Sequence, residues 1–366
     1  MPKLLILASI SKAFYNFSFE FLEELRRRNY EVYLSIPEDP LNAEFERIGC
    51  TVIPAPLERH GMNPLGELRL IAEYIRLMYK YKPDAAMSFT IKPNTYGGIA
   101  AGIMQVPFLA SVTGMGTVFH NDTLINKVIR KMLKTGLSNA RCIFFQNDES
   151  LTEFQRLKMF SCRYSRIPGS GVNLNKRPLL PYPADGKIRF LMEARASREK
   201  GVAEYIAAAT EILKMHPDCE FHYAGFTEEG EYGEMLRKAA DTGVIHYHGF
   251  LNNAEVEALM RNIHCVVLPS YHEGMSNVLL EGAAYGRPLL CSNVPGCRET
   301  VIDGKSGLTF AARSAEALQT AMEKFLTLSA DERQLMGICG RKHVEENFNR
   351  EITVDRYFAE IEKVLK

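Results

Sequence analysis

The chain has 366 residues, 46% hydrophobic and 24% charged, and is long enough to form two domains, each with its own apolar core. It contains no run of 18 apolar residues, which excludes a membrane-spanning helix. Its eight cysteines include no Cys-x-x-Cys pair, and several lie in apolar runs, a pattern typical of buried thiols in a reducing compartment. The sequence therefore predicts a soluble or peripheral cytoplasmic protein rather than a disulfide framework.

The charges sum to zero but are unevenly distributed. Residues 1–176 carry 22 Lys and Arg against 16 Asp and Glu, whereas residues 177–366 carry 22 against 28. The basic excess is concentrated in residues 59–176, with 16 positive against 7 negative side chains. This asymmetry predicts an anionic partner for the first half, either a membrane surface or a phosphorylated molecule.

Short apolar runs alternate with amphipathic helical stretches along the chain, a pattern typical of parallel α/β sheets. The N-terminal run is too short for a signal peptide and predicts a first strand. The first series of predicted strands covers residues 4–8, 32–36, 51–53, 85–89, 106–111 and 142–146. A second series covers residues 188–193, 220–224, 244–248, 265–269, 289–292 and 308–310. Two such series predict two doubly wound, Rossmann-like domains that face each other.

Residues 123–136 predict a basic amphipathic helix. Its cations share one broad face: Lys127, Arg130, Lys131 and Lys134. An ordinary domain helix, with its apolar side in the core, is one interpretation, and contact with anionic lipid is the other. The charge excess of the region favours membrane contact. Aromatic residues are not interleaved with these cations as single-stranded nucleic acid requires, so we expect no nucleic-acid partner.

The predicted domain boundary is the stretch 169–186, which is rich in Gly, Pro and Asn and lacks periodicity. We therefore assign residues 1–170 to an N-terminal domain and 171–349 to a C-terminal domain. A final helix at about 350–366 follows a break at 347–349.

The most informative stretch follows the predicted strand at 265–269. A loop with Glu273 and Gly274 leads into a helix that opens near Ser276 or Asn277. This junction directs backbone N–H groups and the positive helix end toward one anion. Glu273 and Glu281, about a turn and a half into the helix, can both face that anion. Backbone amides that bind a diphosphate, together with carboxylates that accept hydrogen bonds from hydroxyl groups, are typical of a nucleotide-sugar site.

Two cations follow the first strand of the second domain. Arg195 and Lys200 lie between that strand and a predicted helix at 202–214. Unneutralised cations at this junction suit a pyrophosphate, whose charge they would stabilise as it departs. The alternative is a pair of solvated loop charges. Arg198 lies in the same loop and can substitute for Arg195.

The strand, glycine loop and helix, followed by Gly-x-Pro, resemble the donor-site signature of retaining GT-B glycosyltransferases of family 4. The resemblance covers almost the whole chain and is densest over 188–310. It implies that Arg195 and Lys200 grip the donor diphosphate, that Glu273 lies beside the donor sugar and that Glu281 binds the ribose hydroxyls. The loop backbone that it assigns to the phosphates and sugar comprises Gly274, Met275, Ser276 and Asn277.

Within that family, residues 194–195, 200–202 and 296–299 are similar to bacterial enzymes that extend lipid-linked oligosaccharides, especially those that add GalNAc to undecaprenyl-diphosphate-linked bacillosamine. This similarity implies transfer of an N-acetylhexosamine such as GalNAc, or of a hexose, from a UDP-sugar to an undecaprenyl-diphosphate-linked saccharide. The enzyme would be peripheral on the inner face of the cell membrane. The GT-B fold implies a cleft for donor and acceptor between the domains, with the final helix crossing back to the first.

The resemblance assigns the acceptor to the N-terminal domain. Ser11 and Lys12 follow the first strand, where many family members carry a Gly-Gly loop that this chain lacks. A further loop follows the predicted strand at 106–111 and contains Thr113, Gly114, Gly116 and His120. His120 is a candidate for contact with the acceptor or a phosphate, and its alternative role is structural.

No metal or cofactor is expected. The ten Asp form no Asp-x-Asp motif, which metal-dependent GT-A transferases use, and the nine His show no metal-site spacing beyond His246-x-His248. Since no nucleophile faces the anomeric carbon, family analogy implies front-face attack with retention, the departing diphosphate oxygen taking the acceptor proton.

Two alternative functions stay open. A UDP-sugar 2-epimerase also pairs Rossmann-like domains, and a non-catalytic nucleotide-sugar-binding protein would merely close on its ligand. A NAD-dependent enzyme is disfavoured because no Gly-x-Gly-x-x-Gly follows a strand with an acidic residue about 20 positions later.

Overall fold

The computed structural model describes residues 1–57, 64–115, 119, 123–227 and 230–366, and the chain divides into two compact units. The first comprises Met1–Ser170 with Glu351–Lys366, and the second comprises Gly171–Arg350. Each contains one parallel sheet between layers of helices. The predicted fold class, α/β with two doubly wound Rossmann-like sheets, is confirmed.

The first sheet has the strand order β3-β2-β1-β4-β5-β6-β7, and its order reverses between β1 and β4. Strand β1 is apolar on both faces because helices cover both: Leu4 and Ile6 pack in one core, Leu5 and Leu7 in the opposite one. The strands are β1 (Lys3–Leu7), β2 (Glu31–Ile36), β3 (Thr51–Pro54), β4 (Ala85–Phe89), β5 (Phe108–Val112), β6 (Ala140–Phe145) and β7 (Arg163–Arg166). The helices are α1 (Ser11–Arg27), α2 (Asn42–Arg47), α3 (Pro64–Tyr81), α4 (Ile91–Met104), α5 (Leu124–Leu137) and α6 (Asp148–Arg156).

The second sheet has the order β10-β9-β8-β11-β12-β13, which reverses between β8 and β11. Its strands are β8 (Arg189–Glu193), β9 (Glu220–Ala224), β10 (His246–Tyr247), β11 (Cys265–Leu268), β12 (Leu289–Ser292) and β13 (Gly307–Phe310). Its helices are α7 (Val202–Met215), α8 (Glu231–Asp241), α9 (Asn253–Met260), α10 (Asn277–Ala284), α11 (Ala315–Leu326) and α12 (Ala330–Asn347). Capping boxes, Asn252 with Glu255 and Ser329 with Glu332, explain where α9 and α12 begin.

The last helix, α13 (Arg350–Leu365), packs in the core of the first unit from residue 351 onward. Tyr357, Phe358 and Ile361 are buried there. The ring of Tyr357 lies 4.8 Å from that of Phe144, and its hydroxyl is 3.2 Å from Ser111 Oγ. No described helix is both long enough and apolar enough to cross a membrane.

Edge strands and one helix face differ from the sequence prediction. Strand β7 was not predicted, because Arg163–Arg166 contains no apolar pattern, and β10 is two residues long instead of five. Helix α5 matches the predicted basic helix, but only its C-terminal half is buried in the core. Leu124, Ile125 and Val128 are 81%, 54% and 58% exposed.

A buried guanidinium joins three segments of the second unit. Arg287, between α10 and β12, is fully buried and donates hydrogen bonds to carbonyl oxygens: Met260 O at 3.0 Å, Pro181 O at 2.9 Å and Leu180 O at 3.4 Å. Burial lowers its pKa to about 10. These bonds attach the chain between β7 and β8 to the end of α9.

Candidate functional site

The site lies at the carboxyl ends of β8 and β11, where the strand order of the second sheet reverses. Open parallel sheets bind ligands at this position because loops after adjacent strands diverge to opposite faces. The two loops are in direct contact here. Gly201 has φ +76°, and a Cβ on it would lie 2.3 Å from Pro269 O. The Tyr271 amide donates to Glu199 O at 2.8 Å.

An ion pair connects the two loops. Lys200 Nζ donates to Glu273 Oε1, and Ser270 Oγ donates to the same oxygen at 2.8 Å. The expectation of two unneutralised cations is therefore wrong for Lys200, whose charge is balanced by a carboxylate 73 positions later in the chain. Arg195 and Arg198 are both exposed.

Helix α10 begins beside this ion pair. Ser276 is its N-cap and accepts a hydrogen bond from the Leu279 amide at 3.3 Å, and no acidic side chain lies in the first turn. The Ser276 amide donates to Gly296 O at 2.8 Å. A Cβ on Gly296 would lie 2.6 Å from Glu273 O, so only glycine permits this close approach. The positive helix end and Lys200 are thus held at one place, suited to an anion.

Glu281 lies further along α10 in a second charged group. Arg177 Nη2 donates to Glu281 Oε2 at 3.2 Å and to Asn253 Oδ1 at 3.1 Å. Glu193, the last residue of β8, is half-buried near both charges. Burial and the charge of Glu281 raise the pKa of Glu193 to about 7, although Arg177 opposes this. Sequence reasoning missed Arg177 and Glu193, because one lies in the supposed domain boundary and the other in a predicted strand.

The second unit thus contains all the residues predicted for the donor: Arg195, Arg198, Lys200, Glu273, Gly274, Met275, Ser276, Asn277 and Glu281. They lie in the loops after β8 and β11 and in α10. Met275 is buried in the core under the loop, so its side chain anchors the loop and only its backbone is available to a ligand.

The acceptor predictions fall on the first unit. Ser11 is buried and donates to Pro37 O at 2.9 Å, so its hydroxyl is not presented to a ligand, contrary to expectation. Lys12 is exposed in the first turn of α1. Thr113 and Gly114 follow β5, whereas Gly116 and His120 lie outside the described residues.

The basic helix presents most of its cations to solvent. Lys127, Lys131 and Lys134 are exposed, and Arg130 is half-buried. No group of three or more His, Cys, Asp or Glu among the described residues is arranged to hold a metal ion. The His222 and His248 rings stack, with Nδ1 and Nε2 2.9 Å apart.

Comparison with known proteins identifies two family segments. Residues 3–147 match the glycosyl transferase 4-like model, and residues 182–343 match the model of glycosyl transferases group 1. The chain is 25% identical to the N,N'-diacetylbacillosaminyl-diphospho-undecaprenol alpha-1,3-N-acetylgalactosaminyltransferase of Campylobacter jejuni, over 98% of both chains. It is 22% identical to the capsular polysaccharide biosynthesis glycosyltransferase CapM of Staphylococcus aureus, over 90% of this chain and 89% of that one.

Solved structures agree on the fold. The structure of Anabaena Alr3699/HepE in complex with UDP is 17% identical to this chain in sequence. The match covers 99% of each chain with a TM-score of 0.79. Sucrose-phosphate synthase from Thermosynechococcus elongatus is 18% identical over 99% of each chain, also with a TM-score of 0.79. With both family segments in chain order on two Rossmann-like units, the chain belongs to the GT-B glycosyltransferases of the family 4 type.

Proposed function

We propose that the chain is a retaining, metal-independent glycosyltransferase that moves a sugar from a UDP donor to a hydroxyl of an undecaprenyl-diphosphate-linked saccharide. The observation that carries the proposal is the Lys200–Glu273 pair at the start of α10, with Glu281 on the same helix. The Campylobacter jejuni relative, whose name specifies a diphospho-undecaprenol acceptor and transfer of N-acetylgalactosamine, supports the acceptor class and an N-acetylhexosamine or hexose donor.

The donor diphosphate binds where the N-terminus of α10 and the Lys200 ammonium point. Arg195, exposed in the loop after β8, supplies a second cation. Glu273 orients Lys200 through their hydrogen bond and accepts hydrogen bonds from the sugar, while Glu281 accepts from the ribose. As the sugar leaves, negative charge grows on the diphosphate, and these groups stabilise it without rearranging. The acceptor hydroxyl attacks the anomeric carbon from the face that the diphosphate leaves, and its proton passes to the departing diphosphate oxygen. This front-face attack retains the anomeric configuration.

The relatives that match over most of the chain are transferases by name, which favours transfer over epimerisation or binding alone. The Staphylococcus aureus relative is named for capsular polysaccharide synthesis. We propose a corresponding role in the synthesis of a lipid-linked N-glycan, O-antigen or capsule, at the cytoplasmic face of the membrane.

The donor site is tested by titrating UDP into the wild type and two variants. We expect Glu281→Gln to weaken UDP binding by about tenfold to a hundredfold, since it removes a charge-assisted hydrogen bond. The control is Glu257→Gln on α9, where the carboxylate pairs with exposed Arg261 and no change is expected. A panel of UDP-sugars with membrane lipid extract then identifies the transferred sugar. Failure of UDP to bind, or equal binding by Glu281→Gln, would contradict the proposal.

The same transfer reaction tests two further points. Each UDP-sugar incubated without acceptor should stay unchanged, whereas an epimerase would convert it. Chelation of divalent cations should leave the transfer rate unaltered. Loss of transfer on chelation would remove metal independence from the proposal.

Membrane association is proposed for α5. Lys131 and Lys134 are exposed on the helix whose Leu124, Ile125 and Val128 also contact solvent. Apolar side chains next to cations suit an anionic bilayer surface, where each cation contributes about 1 kcal/mol. Replacing both lysines by alanine should therefore reduce binding to phosphatidylglycerol vesicles by about thirtyfold at low salt.

The matched control replaces Lys305 and Lys324, two exposed lysines of the second unit, with alanine. This control should bind vesicles like the wild type, and neither double variant should differ on neutral phosphatidylcholine vesicles. Equal losses in both double variants would indicate a general charge effect and would overturn the assignment to α5.

A further inference from the structure

Arg177 contacts three parts of the second unit at once. Its side chain is 11% exposed and lies in the segment that precedes β8. The guanidinium donates to Glu281 on α10 and to Asn253, the first residue of α9. Its carbon lies 5.7 Å from the ring centre of Tyr285, which directly follows α10. The residue is thus built into the unit rather than solvated on its surface.

The backbone of Arg177 is fixed to the helix that carries Glu281. Arg341 Nη1 on α12 donates to Arg177 O at 2.6 Å and to Ala284 O, at the end of α10, at 2.7 Å. Pro178 follows directly and restricts the chain there. Because the backbone is held, the guanidinium reaches Glu281 from a defined direction, and little side-chain entropy is lost when a ligand binds.

The charges around Glu281 require a cation. Glu193 on β8 is a second acidic side chain close to Glu281. Burial and the charge of Glu281 raise the pKa of Glu193, and Arg177 lowers it. Two neighbouring carboxylates with no cation between them repel each other. Arg177 therefore determines the orientation of the Glu281 carboxylate beside this second acidic side chain.

We propose that Arg177 is a positioning residue for nucleotide recognition, which holds the Glu281 carboxylate in the orientation that accepts hydrogen bonds from the vicinal hydroxyls of the donor ribose. This inference rests on the proposed function, which assigns Glu281 to the ribose. A carboxylate has about four acceptor positions, and the hydrogen bond from Arg177 occupies one, so Glu281 retains the capacity to bind a diol.

The inference makes a specific kinetic prediction. Since Arg177 acts through Glu281 and not on the reacting atoms, its loss removes binding shared by the ground state and the transition state. Arg177→Met should weaken UDP binding and raise KM for the donor by about tenfold to a hundredfold, with kcat nearly unchanged. Arg177→Lys should recover part of this loss, because an ammonium can bind Glu281 but lacks the planar fork that also reaches Asn253.

A ligand without the diol separates positioning from general damage. We expect 2',3'-dideoxy-UDP to bind the wild type, Arg177→Met and Arg177→Lys with equal affinity, measured by calorimetry. A damaged fold would weaken both nucleotides alike, and that result would overturn the inference. If Arg177→Met does not fold, the same comparison of the two nucleotides on Arg177→Lys decides.

A double-mutant cycle tests the route through Glu281. The variant Arg177→Met/Glu281→Gln should bind UDP no more weakly than Glu281→Gln alone. Multiplicative losses would show that Arg177 acts independently and would overturn the inference. If Glu281→Gln binds UDP like the wild type, the proposed donor site itself fails. If Glu281→Gln is weakened and Arg177→Met is not, only the role of Arg177 fails.

Discussion

Replacing Lys200 with alanine should lower kcat for sugar transfer by about a hundredfold to a thousandfold, the loss expected when one preorganised donor to a developing anion is removed. The ammonium is held by Glu273 beside the start of α10, where we place the diphosphate. The charge on the departing diphosphate exceeds that in the ground state, so the loss falls mainly on kcat. Without Lys200, the carboxylate of Glu273 also repels that charge.

Lys214→Ala is the matched control for this prediction. Lys214 lies in the last turn of α7, is exposed and pairs with Glu211 one turn earlier. Its loss should alter neither kcat nor KM. Thermal unfolding of Lys200→Ala should resemble that of the wild type, and a kcat within threefold of the wild type would remove Lys200 from the mechanism.

Replacing Arg287 with methionine should lower the free energy of unfolding of the second unit by about 3–5 kcal/mol. Methionine fills much of the volume, but it leaves the carbonyl oxygens of Met260, Pro181 and Leu180 without this donor. The bonds to Met260 and Leu180 are buried, and the cost of losing a buried charged donor exceeds the gain from burying an apolar side chain.

Urea denaturation of Arg287→Met and of a control variant measures the change in the free energy of unfolding. The control is Arg261→Met on the exposed end of α9, where the guanidinium pairs with Glu257 across one turn and the expected change is below about 0.5 kcal/mol. Arg287→Lys should lie between the two, because an ammonium keeps the charge but not the planar geometry. A loss below about 1 kcal/mol in Arg287→Met would show that the segment before β8 does not depend on Arg287.

The loop to which we assign the donor was predictable because its chemistry is contiguous. Between β11 and α10, one short stretch contains the strand end, Glu273, the glycine and the N-cap Ser276. The short spacing between these residues places all of them near the start of α10. The loop after β8 was predictable for the same reason, since Arg195 and Lys200 lie between a strand and a helix that both have clear periodicity.

The pairing of charges was not predictable in the same way. Lys200 meets Glu273 because β8 and β11 are neighbours in the sheet, although β9 and β10 separate them in sequence. Arg177 meets Glu281 across 104 positions, from a segment without periodicity. An amphipathic pattern likewise shows that α5 has an apolar face, but not that Leu124 and Val128 would be left in solvent.

The sequence by itself determined the parallel α/β class, the two series of strands and the motif to which we assign the donor, because periodicity and loop chemistry act over a few neighbouring residues. The tertiary structure alone decided which cation balances which carboxylate, which hydroxyl is buried and which guanidinium joins distant segments. Those outcomes depend on strand order and helix packing, which bring together residues far apart in the chain.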